Sequence, residues 1–326
     1  MKILICGSSG FIGMHLVRTL AERDYEVLGL DLMRPIEETD LIGFKQGDMR
    51  KKSDVRRSVN GVDCVINLAA KHHDFGISRE EYFHTNETGS RVLLDCLTEA
   101  GVKKYIFFST VGVYGDNSGG KNESCIPVPS SDYGASKLAA ENLAVKWQQE
   151  DSKRKVLIIR PAVVFGEGNT ANMYNLIRQI DKGLYLNLGS GDAIKSACYV
   201  KNLIDAALFC MERMKPGVSV FNYVDKPDLT VKQMVTVICD TLGRRVPKIS
   251  LPLWLGITAA LPFDLVSKIT NKNLAVSSAR VRKIATETKF PAQSIVDCGF
   301  NAKFTVEEGL QNMVRWYLEQ KEKYKW

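Results

Sequence analysis

The sequence predicts an α/β fold: a doubly wound parallel sheet with a smaller mixed C-terminal domain. Short apolar runs alternate with amphipathic helical stretches through the first 160 residues, the pattern of a parallel sheet covered by helices on both faces. A turn with glycines three apart, Gly7, Gly10 and Gly13, joins the first apolar run to the first helical stretch. After Pro161 the rhythm loosens into glycine-punctuated loops and further helices, and 326 residues suffice for two units of about 150 each.

The expected strands are Lys2–Cys6, Glu26–Asp31, Cys64–Asn67, Lys104–Phe108 and residues 156–160. Most are nearly continuous apolar runs, as strands buried on both faces require. Between them lie helical patterns at residues 11–23, 53–59, 80–100 and 132–150. Further helices are expected at 173–182, 200–214, 229–242 and 306–323, and no internal repeat is visible. The division that follows is a sheet domain over 1–165 with a return segment at about 197–224. A second, smaller domain takes 166–196 and 225–326.

The charge is uneven. Residues 241–290 hold nine basic and two acidic side chains, whereas the rest of the chain is balanced at 35 of each. A local anionic partner is therefore expected, and a nucleic-acid partner is not. The eight cysteines form no CxxC pair and have no histidine cluster beside them, so no metal site and no disulfide framework is expected. The first strand begins at once, which predicts no signal peptide and a cytoplasmic location. Residues 249–263 are free of charge and apolar but contain Pro252 and Pro262, too short and interrupted to span a bilayer.

The glycine turn lets backbone N–H groups and a helix N-terminus meet a pyrophosphate. Ser9, Phe11 and Ile12 lie within it. Asp31 ends the second strand, 18 residues after Gly13, where a carboxylate binds the ribose hydroxyls of NAD and repels a 2′-phosphate. The alternative is a tight strand–helix turn with a capping Asp, and Arg34 nearby keeps NADP open. Tyr133 and Lys137 are four apart on a helical stretch and so share a face. An ammonium and a positive nicotinamide ring both favour the phenolate, making Tyr133 a candidate general base. Alone, that spacing also fits a surface Tyr–Lys pair. Ser109 and Thr110 end a strand, where hydroxyls face the ligand crevice of a parallel sheet.

With these pieces the chain resembles the extended short-chain dehydrogenase/reductase family of NAD-dependent epimerases and dehydratases, which have a Rossmann domain. Gly7-x-x-Gly10-x-x-Gly13 has that family's spacing. Asp48-Met49 resembles its adenine-contacting pair, Leu68-Ala69-Ala70 its fourth-strand end, and Asn86 the Asn of the following helix. The resemblance implies NAD as cofactor and Thr110, Tyr133 and Lys137 as catalytic residues, with Ser109 the alternative hydroxyl. Members that eliminate water carry Asp-Glu after the catalytic Thr. Here Val111 and Gly112 stand there, and neither can move a proton, so a 4,6-dehydratase is rejected.

Segments in the second half resemble a narrower group, bacterial 4-epimerases of N-acetylglucosaminyl-diphospho-undecaprenol. They are Asn175-Leu176-Ile177, Lys195-Ser196, residues 222–229 and residues 275–281. This implies a glycan-diphosphate substrate, with Asn175, Lys195 and Arg280 as candidate contacts beside Ser109 and His72. His73 is a further candidate. A lipid-linked substrate suits the apolar, base-flanked 249–270 segment, whose alternatives are peripheral contact with the inner face of the cell membrane and ordinary burial. Cys125 and Cys198 read as bystanders and Glu123 as a loop carboxylate. The family implies a homodimer packed through 80–100 and 132–150. The alternatives are a UDP-sugar 4-epimerase, a 4-keto-sugar reductase and an idle NAD-binding regulator.

Overall fold

The computed structural model describes residues 1–35, 41–72, 76–115, 120–247, 250–270 and 278–324. The strands are β1 (Lys2–Cys6), β2 (Glu26–Asp31), β3 (Gly43–Gln46), β4 (Cys64–Asn67), β5 (Lys104–Phe108), β6 (Lys155–Pro161), β7 (Val163–Phe165), β8 (Asn187–Leu188), β9 (Ile194–Lys195), β10 (Ala197–Tyr199), β11 (Gly217–Tyr223), β12 (Leu229–Thr230) and β13 (Ser250–Leu251). The helices are α1 (Phe11–Ala21), α2 (Lys52–Ser58), α3 (Arg79–Phe83), α4 (Gly89–Ala100), α5 (Asp132–Gln149), α6 (Asn172–Asp181), α7 (Val200–Glu212), α8 (Val231–Leu242), α9 (Leu253–Thr270), α10 (Ser278–Ala285), α11 (Gln293–Asp297) and α12 (Val306–Tyr324).

Seven parallel strands form one sheet in the order β11-β6-β5-β4-β1-β2-β3. The order reverses between β1 and β4, which opens a crevice at their C-terminal ends. Successive side chains of a strand face opposite sides. Ile3 and Ile5 accordingly join the core under α1 and α7, while Leu4 and Cys6 join the core under α2 and α4. Ile106 and Phe108 of β5 take the first side, and Tyr105 and Phe107 the second. The expected doubly wound parallel sheet is the one observed.

Three local differences from the sequence reading have physical causes. The expected helix at 80–100 is interrupted by a π-helical turn, His84–Thr88. Asn86 inside it accepts from the Lys71 N–H at 2.8 Å and donates to the Lys71 carbonyl at 3.1 Å. The helix expected from 229 starts at Val231, because Thr230 and Gln233 form a reciprocal capping box and Leu229–Thr230 pairs with β9. The short strand β3 was not expected; its Gly-Phe-Lys-Gln sequence carries no apolar run.

The chain leaves the sheet after β6 and returns at β11, which pairs with β6 along its whole length. Outside the sheet lie three two-stranded ladders, β7 with β10, β9 with β12 and β8 with β13. The stretch around Pro262 is part of one helix, α9, with the proline inside it. Among the described residues no helix is long and apolar enough to cross a membrane.

Candidate active site

The crevice is built first by backbone contacts that only glycine allows. Gly7 leaves β1 with φ +85°, and a Cβ there would meet the Ala69 nitrogen at 2.8 Å. A Cβ on Gly13 would meet the Gly7 carbonyl oxygen at 2.2 Å. The ends of β1 and β4 therefore touch, and α1 starts hard against the turn. Asp31 fixes the turn from β2: its carboxylate accepts from the Ser9 N–H and the Met33 N–H, both at 3.0 Å. The Ser9 hydroxyl donates to the Met33 carbonyl at 2.7 Å. Gly10, Phe11 and Ile12 open α1, whose N-cap is Gly10.

The neighbouring expected cofactor residues are also placed. Asp48 accepts from the Arg50 guanidinium at 2.7–3.0 Å, and that hydrogen bonding holds its carboxyl below the usual range. Met49 is buried under α4, close to Gly89. Leu68, Ala69 and Ala70 follow β4, and the Ala69 N–H is held by Asn67 at 3.1 Å. Asn86 also donates to the Ser136 hydroxyl at 2.9 Å, so its side chain ties the loop after β4 to α5.

The second wall is the turn after β5. Thr110 caps a short 3₁₀ turn, Val111–Tyr114, and its hydroxyl oxygen accepts from the Gly112 N–H at 3.0 Å. Among the described residues no acceptor takes its own O–H proton, which leaves that proton to donate. Ser109 beside it is buried, and its hydroxyl has no hydrogen-bond partner among the described residues. Helix α5 starts at the Ser131 cap and abuts this turn: a Cβ on Gly134 would lie 2.5 Å from the Gly112 carbonyl oxygen. Gly134, next to Tyr133, is thus what lets the start of α5 reach the Thr110 turn. Val111 is buried in the core and Gly112 has no side chain, so the two positions after Thr110 offer no acid or base.

Lys137 lies one helical turn after Tyr133 and is fully buried. Its ammonium sits 4.1 Å from the centre of the Phe107 ring. Burial pulls its pKa down from 10.5 to about 7, opposed by the charge of Glu141. Glu141, a further turn along α5, is held by Arg160 of β6 through contacts of 3.0 and 2.5 Å. Arg160 also donates to the Tyr114 hydroxyl at 2.7 Å, which donates to Asn222 of β11 at 2.9 Å. Glu123 completes the chain, accepting from the Asn222 N–H at 2.8 Å and from the Ser294 hydroxyl at 2.9 Å. Glu123 lies in a loop, as expected from sequence, and from there bridges β11 to α11. Arg160, Glu141 and Asn222 were missed as positioning residues. The available signals were an arginine in an otherwise apolar strand and a glutamate four residues after Lys137.

The sequence matches the NAD-dependent epimerase/dehydratase family over residues 3–223. The chain belongs to this family. It is 36% identical over 316 residues to the N-acetyl-α-D-glucosaminyl-diphospho-ditrans,octacis-undecaprenol 4-epimerase of Escherichia coli O157:H7, covering 97% of this chain and 95% of that one. It is 30% identical over 262 residues to the UDP-glucose 4-epimerase of Vibrio cholerae, covering 78% and 79%. Its fold matches that of the UDP-glucuronic acid 4-epimerase of Bacillus cereus solved with NAD, with TM-score 0.79, 21% identity and coverage of 98% and 99%. The protein is an enzyme of the epimerase type, and its cofactor is NAD.

The residues present fit that cofactor. A Cβ on Gly7 or Gly13 would collide with neighbouring backbone, so the turn presents bare backbone, as a pyrophosphate lying against it requires. Among the described residues the buried Ser109 hydroxyl has no hydrogen-bond partner and the Lys137 ammonium is out of reach of water, and polar groups of a bound molecule would satisfy both. When bound, NAD accepts a hydride from the substrate carbon and gives it back.

The expected substrate residues are spread more widely. His72 is exposed in the loop after β4 and Asn175 is exposed on α6. His73 and residues 275–277 lie outside the described residues. Lys195 donates to the Thr286 carbonyl, and the Ser196 N–H donates to the Thr288 carbonyl at 2.7 Å. Lys195 therefore clamps β9 to the segment that follows α10, the helix containing Arg280, whose side chain is outside the described residues. Cys198 is buried, with its thiol on the Tyr223 carbonyl, and burial holds its pKa well above the ordinary value. Cys125 is half-buried.

Two outcomes follow from the buried charges. A lysine whose folded pKa is about 7 against 10.5 unfolded binds fewer protons folded than unfolded between those values. Stability of the NAD-free protein therefore rises with pH above about 7, by up to about 1.4 kcal/mol per pH unit from this group. Urea unfolding at pH 7, 8 and 9 should show this rise, and Lys137→Met should flatten it. Arg160→Met leaves Glu141 buried without its partner and should cost about 3–5 kcal/mol in the same measurement.

Proposed function

We propose that the enzyme is an NAD-dependent 4-epimerase that interconverts N-acetylglucosamine and N-acetylgalactosamine carried on undecaprenyl diphosphate. The near full-length similarity to the E. coli O157:H7 epimerase is the observation that carries the choice of substrate. The Thr110 turn supports the choice of reaction. It offers a donor hydroxyl beside the start of α5 but no acid or base at 111 and 112, which favours reversible oxidation at one carbon over loss of water.

In this reading Tyr133 takes the proton of the sugar 4-hydroxyl while carbon 4 loses its hydride. Thr110 donates a hydrogen bond to the same oxygen as it becomes a carbonyl. Lys137 anchors the cofactor ribose and lowers the pKa of Tyr133. The 4-keto sugar turns about its diphosphate linkage and takes the hydride back on its other face, while Tyr133 returns the proton. Atoms and electrons balance with no outside reductant. Lys195 and Arg280 supply positive charge to the diphosphate, with His72, Asn175 and Ser109 near the sugar. Asp31 reads the ribose hydroxyls. Two copies pair through α3–α4 and α5, and the active enzyme works inside the cell at the membrane that carries its substrate. Residues 1–165 with 197–224 form the NAD-binding domain, and 166–196 with 225–326 the substrate domain.

A second reading, a 4-epimerase of UDP-sugars, is favoured by the similarity to the V. cholerae enzyme. Purified protein without added cofactor should convert the undecaprenyl-diphosphate sugar in detergent and leave UDP-N-acetylglucosamine unchanged. Conversion of the UDP-sugar alone establishes the second reading. Tyr133→Phe should lower turnover by about 10²–10⁴ while the protein keeps its NAD; a near-normal rate removes Tyr133 as the base.

A further inference from the structure

An exposed apolar surface outside the seven-stranded sheet has two parts that strand pairing brings together. On α9, Trp254, Leu261 and Phe263 are 63%, 52% and 46% exposed, with Leu255 and Val266 also exposed. Just before β8, Leu184 and Leu186 are 69% and 62% exposed, while Tyr185 between them packs against the core. That alternation aims both leucines outward. Strand β8 pairs with β13, which leads directly into α9. The Gly189 N–H donates to the Leu251 carbonyl at 2.9 Å, and a Cβ on Gly256 would meet the Leu188 side chain at 2.9 Å. The leucine pair and the start of α9 thus belong to one surface. A monomer rarely leaves so many large apolar side chains together in water.

Basic groups border it. Lys182, Arg244, Arg245 and Arg282 are exposed. A cavity of about 260 Å³ opens beside Tyr185, lined by Arg244 and Arg245. Asp181 also lines it, but its carboxylate is engaged by Lys321 at 2.6 Å, Tyr317 at 2.9 Å and Arg244 at 3.2 Å. Arg245 keeps the rim positive, and residues 241–290 hold nine basic against two acidic side chains. A tryptophan and aliphatic side chains ringed by arginine and lysine match a headgroup boundary, where apolar groups enter the acyl region and cations meet lipid phosphates. Helix α9 has 18 residues with Pro262 inside and is about 27 Å long, and no helix among the described residues is long and apolar enough to cross a membrane.

We propose that α9 and residues 184–186 form one face that docks on an anionic lipid bilayer. Its purpose rests on the lipid-linked reading, but its test does not. NAD-loaded protein is mixed with vesicles of phosphatidylcholine alone, or mixed with phosphatidylglycerol, neither containing glycolipid. The protein should sediment with the anionic vesicles only, and added salt should release it. Brominated acyl chains should quench fluorescence that Trp254→Phe removes. Leu184→Ser with Leu186→Ser, and separately Trp254→Ser with Phe263→Ser, should weaken partitioning about tenfold or more. All these side chains are exposed, so the variants should keep the parent's NAD content and thermal midpoint. Arg245→Glu should weaken binding without touching the apolar groups. Absence of binding by the parent, or equal binding by every variant, overturns the proposal. So does a fall in the mass measured by light scattering for the apolar variants with no vesicle binding by the parent, which makes the face a contact between copies. Vesicle binding with conversion of UDP-sugar alone refutes the lipid-linked substrate and leaves the docking face standing.

Discussion

Arg160 and Glu141 meet out of reach of water, and the placement of α5 depends on that meeting. A buried pair of this kind contributes little net stability, because desolvation offsets most of the attraction. Its contribution is position. Glu141 lies one turn after Lys137, itself one turn after Tyr133, so fixing Glu141 to β6 fixes the rotation of the whole helix about its axis. The start of the same helix is fixed independently by the contact of Gly134 with the Gly112 carbonyl. Two constraints at different heights leave α5 no freedom to roll.

The same pair shapes the local electrostatics. Glu141 is the negative charge nearest Lys137 along the helix, yet it is already committed to Arg160. Lys137 is therefore left in an apolar shell beside Phe107, only partly compensated. That is costly for an empty protein. It is useful in the proposed mechanism, where Lys137 holds polar ribose hydroxyls beside a phenol whose proton has to leave near neutral pH.

Much of this was legible in the sequence because parallel core strands are continuous apolar runs. β1, β2, β4 and β5 have the bounds their apolar residues announce. Edge strand β3 was not legible, since one half-exposed turn of Gly-Phe-Lys-Gln resembles any loop. The glycine turn and the Tyr133–Lys137 spacing were readable because both are local. The Arg160–Tyr114–Asn222–Glu123 chain was not, because its partners are 46 to 108 residues apart and nothing nearby marks them as neighbours. Asn86 shows the intermediate case. Its position was visible in the sequence, but its grip on Lys71 and Ser136 depends on the π-helical turn that re-aims it.

The excursion between β6 and β11 also has a consequence for how the chain is made. β6 is apolar on both faces and buried nearly throughout, and its outer edge is covered only when residues 217–223 arrive. A nascent chain that has delivered the first 161 residues presents an open, greasy ladder of unpaired amides, and it keeps doing so while more than fifty further residues emerge. Cutting the gene at the natural-looking boundary near residue 165 would therefore yield a sticky fragment, not a small working nucleotide-binding module.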